Sequence, residues 1–240
     1  VPVQQLATTE QYLAVLGGHP TKFPPGERFS YCNGGFVVLA LIAERASGTP
    51  FHDLVEQRVC GPAGLADTEF LRSDDLPGRA ALGYVDVDGV TRSNVLHLPV
   101  RGSGDGGIYS TVADVRTLWT EFFAGNIVPA RWVDEMVRPR DVFSDTSSNT
   151  TSNTNSDTTS NTNSDTTSDT SSNTTSSSAR YGLGFWLAAS GDSVRLEGYD
   201  AGVSFRSWHD PTSSSTETVV SNTSEGAWPM ARALRARLHG

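Results

Sequence analysis

A phenol and a carboxamide, one residue apart, stand at the mouth of an apolar helix. The segment is Tyr31-Cys32-Asn33, followed by Gly34-Gly35 and the run from Phe36 to Ala43. Held there, the phenol and the amide could face a substrate, with the helix behind anchoring their position. The same residues also suit a plain structural role: Asn is a favoured N-cap, and Tyr31 would then pack at the helix entry. A second feature is an absence. Lys22 is the only lysine and His19 stands three residues before it, so the sequence has no Ser/Thr-x-x-Lys pair. A hydroxyl nucleophile with an amine one helical turn away is therefore not found among these residues.

The elements that must position the triplet can be read from punctuation and periodicity. Thr8 or Thr9 caps a short helix over 8–16, stopped by Gly17-Gly18, and Pro24-Pro25-Gly26 forces a loop before Tyr31. The helix from about Gly35 to Arg45 is apolar nearly all round, which predicts burial on most faces. Thr49-Pro50 starts the next helix and Gly61-Pro62 stops it. Val85 and Val87 alternate ahead of Asp88-Gly89, the pattern of a hairpin. Thr111-x-x-Asp114 resembles a capping box ahead of an amphipathic helix closed by Gly125, and a further short helix spans about Pro129 to Val137. The period then changes to two, predicting strands over 181–187, 193–197, 203–208 and 216–221, and a last helix over 229–238. Helices, then an antiparallel meander, then a helix make an α+β pattern.

Between the two halves lies a tract of another kind. Residues 144–178 are only Ser, Thr, Asn or Asp, and TSNTNSDT occurs in tandem at 151–158 and 159–166. Such a composition has no apolar surface with which to offset its ordering entropy, so it reads as a solvated insertion. It lacks the glycines of calcium-binding repeats. Asn149, Asn173 and Asn222 meet the glycosylation pattern, as chance would supply in such a composition. The organisation predicted is 1–143 mainly helical, 144–178 low complexity, and 179–240 strands with a C-terminal helix.

The formal charge of −9 argues against nucleic acid as a partner, since phosphate binding needs clustered Lys and Arg. The run from Phe36 to Ala43 is too short to cross a bilayer, and no basic-then-apolar leader stands at Val1, so the sequence reads as that of a soluble chain. Cys32 and Cys60 make neither a disulfide framework nor a metal-ligand spacing, and His19, His52, His97 and His239 are scattered. No metal or organic cofactor is implied. Gly102 to Gly107 contains a Gly-x-Gly-x-x-Gly pattern without the βαβ unit it needs, and reads instead as a loop bordering a cleft. His209-Asp210 reads as a strand-ending turn, and Ser204 as a strand residue without the last glycine of a nucleophile elbow.

Taken together, F-P-P-G-E-R-F-S-Y-C-N-G-G, the apolar helix, S-G-T-P-F, G-P-A-G-L and Gly106-Gly107-Ile108-Tyr109-Ser110-Thr111 resemble one family. It is that of the serine β-lactamases and penicillin-binding-protein-like enzymes, in the branch of class C β-lactamases, D-alanyl-D-alanine carboxypeptidases and esterases. The resemblance covers most of residues 8–140 and 180–240. It implies a helical region packed on an antiparallel sheet, and acyl transfer through a serine acyl-enzyme on a small-molecule substrate. Tyr31 takes the place of the family's proton relay and Asn33 that of the positioning amide. Aligning Ala201-Gly202 with the family's Pro-Gly puts Leu196-Glu197-Gly198 at the third motif. Gly198 and Tyr199 then border the substrate, with the Tyr199 backbone N–H offered to an oxyanion. Leu196, where the family has Lys or His, cannot hold a substrate carboxylate, so a neutral ester or amide is expected rather than a β-lactam. Without the Ser-x-x-Lys element the chain is expected to be inactive, and apolar surface on Phe36 to Ala43 and one sheet edge should lie bare. The competing expectation is a non-catalytic binding module on the same scaffold.

Overall fold

In the computed structural model, which describes residues 2–144 and 178–239, the chain opens on helical turns. Thr8 caps a 3-10 turn, Thr9–Tyr12, through a capping box with Gln11, and the turn continues into α1 (Leu13–Leu16). α2 (Asn33–Ser47) begins two residues ahead of its apolar pattern. Cys32 is the extended N-cap, so Asn33 is the first helical residue and does not cap. Its buried stripe is Val37, Ala40 and Leu41, and of these Val37 and Leu41 pack on Leu6, Tyr12 and Leu16. Burial on most faces is not observed: Val38, Leu39 and Ile42 are 42%, 58% and 58% exposed. A helix apolar all round needs cover on every side, and the described residues cover only one.

The next helix corrects a second expectation. α3 (Phe51–Val55) runs into a π turn, Glu56–Cys60, and on through α4 (Gly61–Ala63), so Gly61-Pro62 does not stop it. The Gly61 N–H reaches back five residues to the Glu56 carbonyl. That widened turn carries the helix across Pro62, which has no N–H to place. β1 (Tyr84–Val87) and β2 (Val90–Ser93) form the expected hairpin, with Asp88 and Gly89 both at positive φ in the turn. α5 (Val112–Phe123) starts at Thr111, whose side chain accepts from the Asp114 N–H at 3.1 Å. The Asp114 carboxylate does not complete the box. It accepts instead from the Asp67 N–H at 2.8 Å and the Thr68 hydroxyl at 2.7 Å, tying α5 to the loop after α4. α6 (Ala130–Met136) follows.

Six strands then form one antiparallel sheet in chain order: β3 (Asp141–Ser144), β4 (Ser178–Tyr181), β5 (Trp186–Leu187), β6 (Val194–Asp200), β7 (Val203–Asp210) and β8 (Ser215–Ser221). The single strand predicted over 181–187 is two short pieces. Ser144 pairs directly with Ser178, so both ends of the polar tract are strand residues. The repeat and the sites at Asn149 and Asn173 lie outside the described residues.

Each face of the sheet carries a helix. On one, Val115 and Trp119 of α5 meet Leu187 and Val194, with Leu196 and Phe205 beside them. Trp119 is fully buried, and its Nε1–H donates to Ser207 Oγ at 2.8 Å, which removes the cost of hiding the indole donor. On the other face lies α7 (Ala227–His239), with Ala227 and Ala231 buried. Arg235 stacks over Trp208 at 3.9 Å and Arg206 over Trp228 at 4.8 Å. β8 ends the sheet, and its Val220 is 54% exposed.

Candidate active site at the mouth of helix α2

Tyr31 is placed by the extended backbone that enters α2, and its ring lies against the sheet. It stacks on Trp186 at 5.8 Å with 25° between planes, and meets Tyr181 edge-on at 6.1 Å. Phe29, two residues earlier and so on the same side of an extended segment, meets the same two rings at 6.2 and 5.5 Å. The loop from Gly102 to Gly107 borders this entry. His52 Nε2–H donates to the Gly102 carbonyl at 2.8 Å, and Gly104 lies so close to α2 that a Cβ there would fall 2.2 Å from the Phe36 carbonyl oxygen. Only glycine allows that approach. It brings Asp105 within electrostatic reach of Tyr31.

The β6–β7 turn closes the neighbourhood. Asn94 Nδ2–H donates to the Ala201 carbonyl at 2.9 Å, and the Gly202 N–H donates to Ser224 Oγ at 2.9 Å. Gly202, at φ 71°, approaches Tyr84 and Asn94 more closely than a side chain would permit. Asp200 and Val203 flank this two-residue turn as a hydrogen-bonded pair. Alternation along the ladder then turns the N–H groups of Glu197 and Tyr199 away from β7. β5 pairs with β6 only at Val194 and Arg195, so it does not reach either group.

Electrostatically the region is acidic and partly dry. Asp105 and Asp200 both remain exposed, yet neighbouring atoms desolvate them and push their pKa values up; the Asp200 charge adds to the shift at Asp105. The Tyr31 phenol is also raised, first by burial and then by the charges of Asp105 and Glu197. Among the described residues no cation offsets this. As the site stands, Tyr31 keeps its proton at neutral pH and can donate or relay it, but it is not a ready base.

A profile of the family described as Beta-lactamase matches residues 2–240. The chain belongs to the Beta-lactamase family. A penicillin binding protein from Bacillus halodurans, known from a crystal structure, superposes on this family member with a TM-score of 0.80. The two are 30% identical, over 99% of this chain and 64% of that one. The chain is 30% identical over 125 residues to the D-alanyl-D-alanine-carboxypeptidase/endopeptidase AmpH of Escherichia coli, covering 52% of this chain and 31% of the relative. It is 37% identical over 68 residues to a D-aminopeptidase of Cereibacter sphaeroides, covering 28% of this chain and 13% of the relative. The Beta-lactamase-family chain thus matches about a third or less of these curated relatives, and under two thirds of the solved structure. The α+β expectation agrees with this fold. Among the described residues no helix is long and apolar enough to cross a membrane.

The candidate residues named from sequence fall into two groups. Tyr31 and Asn33 sit together at the helix mouth, the first 37% exposed and the second exposed beside it. Gly198 and Tyr199 lie on β6, both exposed, one and two positions beyond the Glu197 whose charge reaches Tyr31. Leu196 lies on the face shared with Gly198 and opposite Glu197 and Tyr199, and packs in the core around Trp119. Two open clefts, of about 390 and 340 Å3, lie elsewhere, between α6 and the β5–β6 and β7–β8 turns and beside α4 and Arg79; neither is lined by Tyr31 or Asn33. Sequence reasoning missed Asp105, Tyr181 and Trp186. The glycines around Asp105 signalled a close approach, whereas nothing in the local pattern of Tyr181 or Trp186 tells which ring each will meet. Cys32 and Cys60 are both free thiols, one exposed and one buried.

Proposed function

We propose that this chain supplies the phenol and amide of a serine acyl-transfer site whose Ser-x-x-Lys element comes from residues outside the 240 given. The observation that carries this is the packing of the α2 mouth on the sheet: Tyr31 stacks on Trp186 of β5, and the neighbouring β6 carries a Tyr199 N–H that neither β5 nor β7 takes. In the proposed reaction a serine hydroxyl adds to the carbonyl carbon of an amide or ester as its proton passes to the lysine amine. The Tyr31 phenol relays a proton to the departing nitrogen or oxygen, the C–N or C–O bond breaks, and an acyl-serine remains. Water then adds to the acyl carbon and releases the acid, restoring the hydroxyl. Asn33 orients the substrate, and the Tyr199 N–H is one donor to the tetrahedral oxyanion; such a donor typically contributes about 3–4 kcal/mol.

Two further observations support an incoming segment. Tyr31 is shifted only upward, so it needs an ammonium nearby to share its proton readily. The exposed Val38, Leu39 and Ile42 face of α2 is the kind of surface on which another helix packs. A short neutral or cationic amide or ester is the favoured substrate, because Leu196 supplies no positive charge and the entry is acidic. The names of the aminopeptidase and carboxypeptidase relatives favour an amide.

A non-catalytic binding module is the second reading, favoured by the missing Ser/Thr-x-x-Lys pair. Treatment with a fluorophosphonate, read by intact mass, separates the two. The 240-residue chain should stay unmodified, and a longer polypeptide carrying a Ser-x-x-Lys turn ahead of it should gain one adduct. An unmodified longer polypeptide would leave the binding module.

A further inference from the structure

Asn33 is the only asparagine in the sequence that is followed by glycine. Packing explains that glycine. A Cβ at Gly34 would fall 2.6 Å from Leu16 Cδ2, so the bare backbone lets α1 close on the start of α2. The same bareness leaves the Gly34 nitrogen open to the carboxamide before it. Asn33 is exposed, and among the described residues nothing hydrogen-bonds its carboxamide or accepts from the Gly34 N–H. As the first two residues of α2 they stand where a helix frays and its N–H groups lack intrahelical partners. The other described asparagines differ on both counts. Asn94, Asn126 and Asn222 precede Val95, Ile127 and Thr223, whose side chains crowd the nitrogen that would attack. Their Nδ2–H groups are also engaged, by the Ala201 carbonyl at 2.9 Å, Glu121 Oε2 at 2.6 Å and the Leu82 carbonyl at 3.3 Å.

We propose that Asn33 is a site of spontaneous deamidation, which turns the amide at the mouth of α2 into a carboxylate. The Gly34 nitrogen gives its proton to water and attacks Asn33 Cγ. The Cγ–Nδ2 bond then breaks, ammonia leaves with the proton returned, and a cyclic imide remains. Water adds to one imide carbonyl and breaks a C–N bond, giving aspartate by one opening and isoaspartate by the other. The positive end of the helix macrodipole stabilises the attacking nitrogen anion and, afterwards, the aspartate carboxylate in the first turn. The folded chain therefore keeps the aspartate product. The conversion does not depend on the acyl-transfer reading. On that reading it also removes the amide that orients substrate, and adds a negative charge two residues from Tyr31 to those of Asp105 and Glu197.

The test is incubation of the 240-residue chain in mildly alkaline heavy-oxygen water, then trypsin and mass spectrometry. Cleavage after Arg28 and Arg45 frees peptide 29–45, in which Asn33 is the one asparagine. That peptide should lose its amide with uptake of one heavy oxygen, and isoaspartate should be found among its products. The peptides carrying Asn94, Asn126 and Asn222 should keep their amides. Gly34→Ala should slow the uptake by crowding the attacking nitrogen, since the Leu16 side chain can turn aside for the methyl group. The same slowing is expected in urea, so the variant reports on the step even if it does not fold. An Asn33 still unlabelled in the folded chain when the urea-unfolded control has converted would overturn the proposal. So would labelling of Asn94, Asn126 or Asn222 ahead of Asn33. Failure of the acyl-transfer reading looks different: a longer polypeptide that takes no acyl group leaves the labelling as it is.

Discussion

Gly104→Ala tests whether the 102–107 loop is held against α2 by contact rather than by chance. The added Cβ would fall 2.2 Å from the Phe36 carbonyl oxygen and 2.8 Å from the Ala40 Cβ, where an ordinary contact begins at 3.4 Å. Both partners belong to α2, so neither can yield without breaking helical hydrogen bonds. The loop must instead retreat by about 1.2 Å, carrying Asp105 away from Tyr31 and straining the His52 to Gly102 hydrogen bond. Overpacking of this kind costs about 1–3 kcal/mol. Urea unfolding should show a lower midpoint with an unchanged slope. Gly198→Ala is the comparison, because its Cβ would meet nothing within 4 Å and its φ is not positive; its stability should stay within about 0.5 kcal/mol of the original. The loosened loop should also let the Tyr31 phenol fall toward its ordinary pKa, read from the pH dependence of its ring resonances. A Gly104→Ala chain as stable as Gly198→Ala would refute the reasoning.

Further outcomes follow from single groups. His209 is buried between Trp119 and Phe123, and burial holds its pKa below 6.5, so the fold prefers it neutral. The unfolded chain then binds more protons just below that value; stability is fully present above it and falls as pH drops through the lower folded value. In His209→Phe the fall in melting temperature on acidification should be shallower. Asp105 is shifted the other way, so its contribution is fully present below the unfolded carboxyl's pKa and is lost as pH rises through the raised folded value. Asp105→Asn should therefore melt higher than the original at pH 7 and equally at pH 3. Ser204 is fully buried, donates to the Thr223 carbonyl at 2.8 Å and accepts from the Ala227 N–H at 3.0 Å. Ser204→Ala should cost about 2 kcal/mol in a urea titration and loosen the start of α7, visible as faster amide exchange there.

Much of the fold was legible because its signals are local. The Asp88-Gly89 turn, the Thr111 cap and the period-two strands each depend on neighbours a few residues away. The misreadings arose where a distant partner or an unusual turn decides. Gly61-Pro62 looked like a stop until the π turn over Glu56–Cys60 removed the need for a donor at Pro62. Phe36 to Ala43 looked buried because composition reports a demand for cover, not its supply, and Leu39 and Ile42 are left bare. At the candidate site, Tyr31 and Asn33 announced themselves through spacing and family resemblance. Leu196 showed what it could not do, but that it faces Trp119 follows only from the strand register. Asp105 and Trp186 were invisible as neighbours of Tyr31, since loop packing and sheet pairing bring them there across 74 and 155 residues of sequence.

The account stands on Tyr31 assisting an attacking hydroxyl that arrives from elsewhere. Its most direct measurement is the acylation rate of a longer polypeptide carrying the Ser-x-x-Lys turn, with and without Tyr31→Phe. The substitution removes one oxygen and keeps the ring on Trp186, so the melting temperature should hold while acylation slows by about 10²–10⁴-fold. An unchanged rate in a folded variant would contradict the central claim.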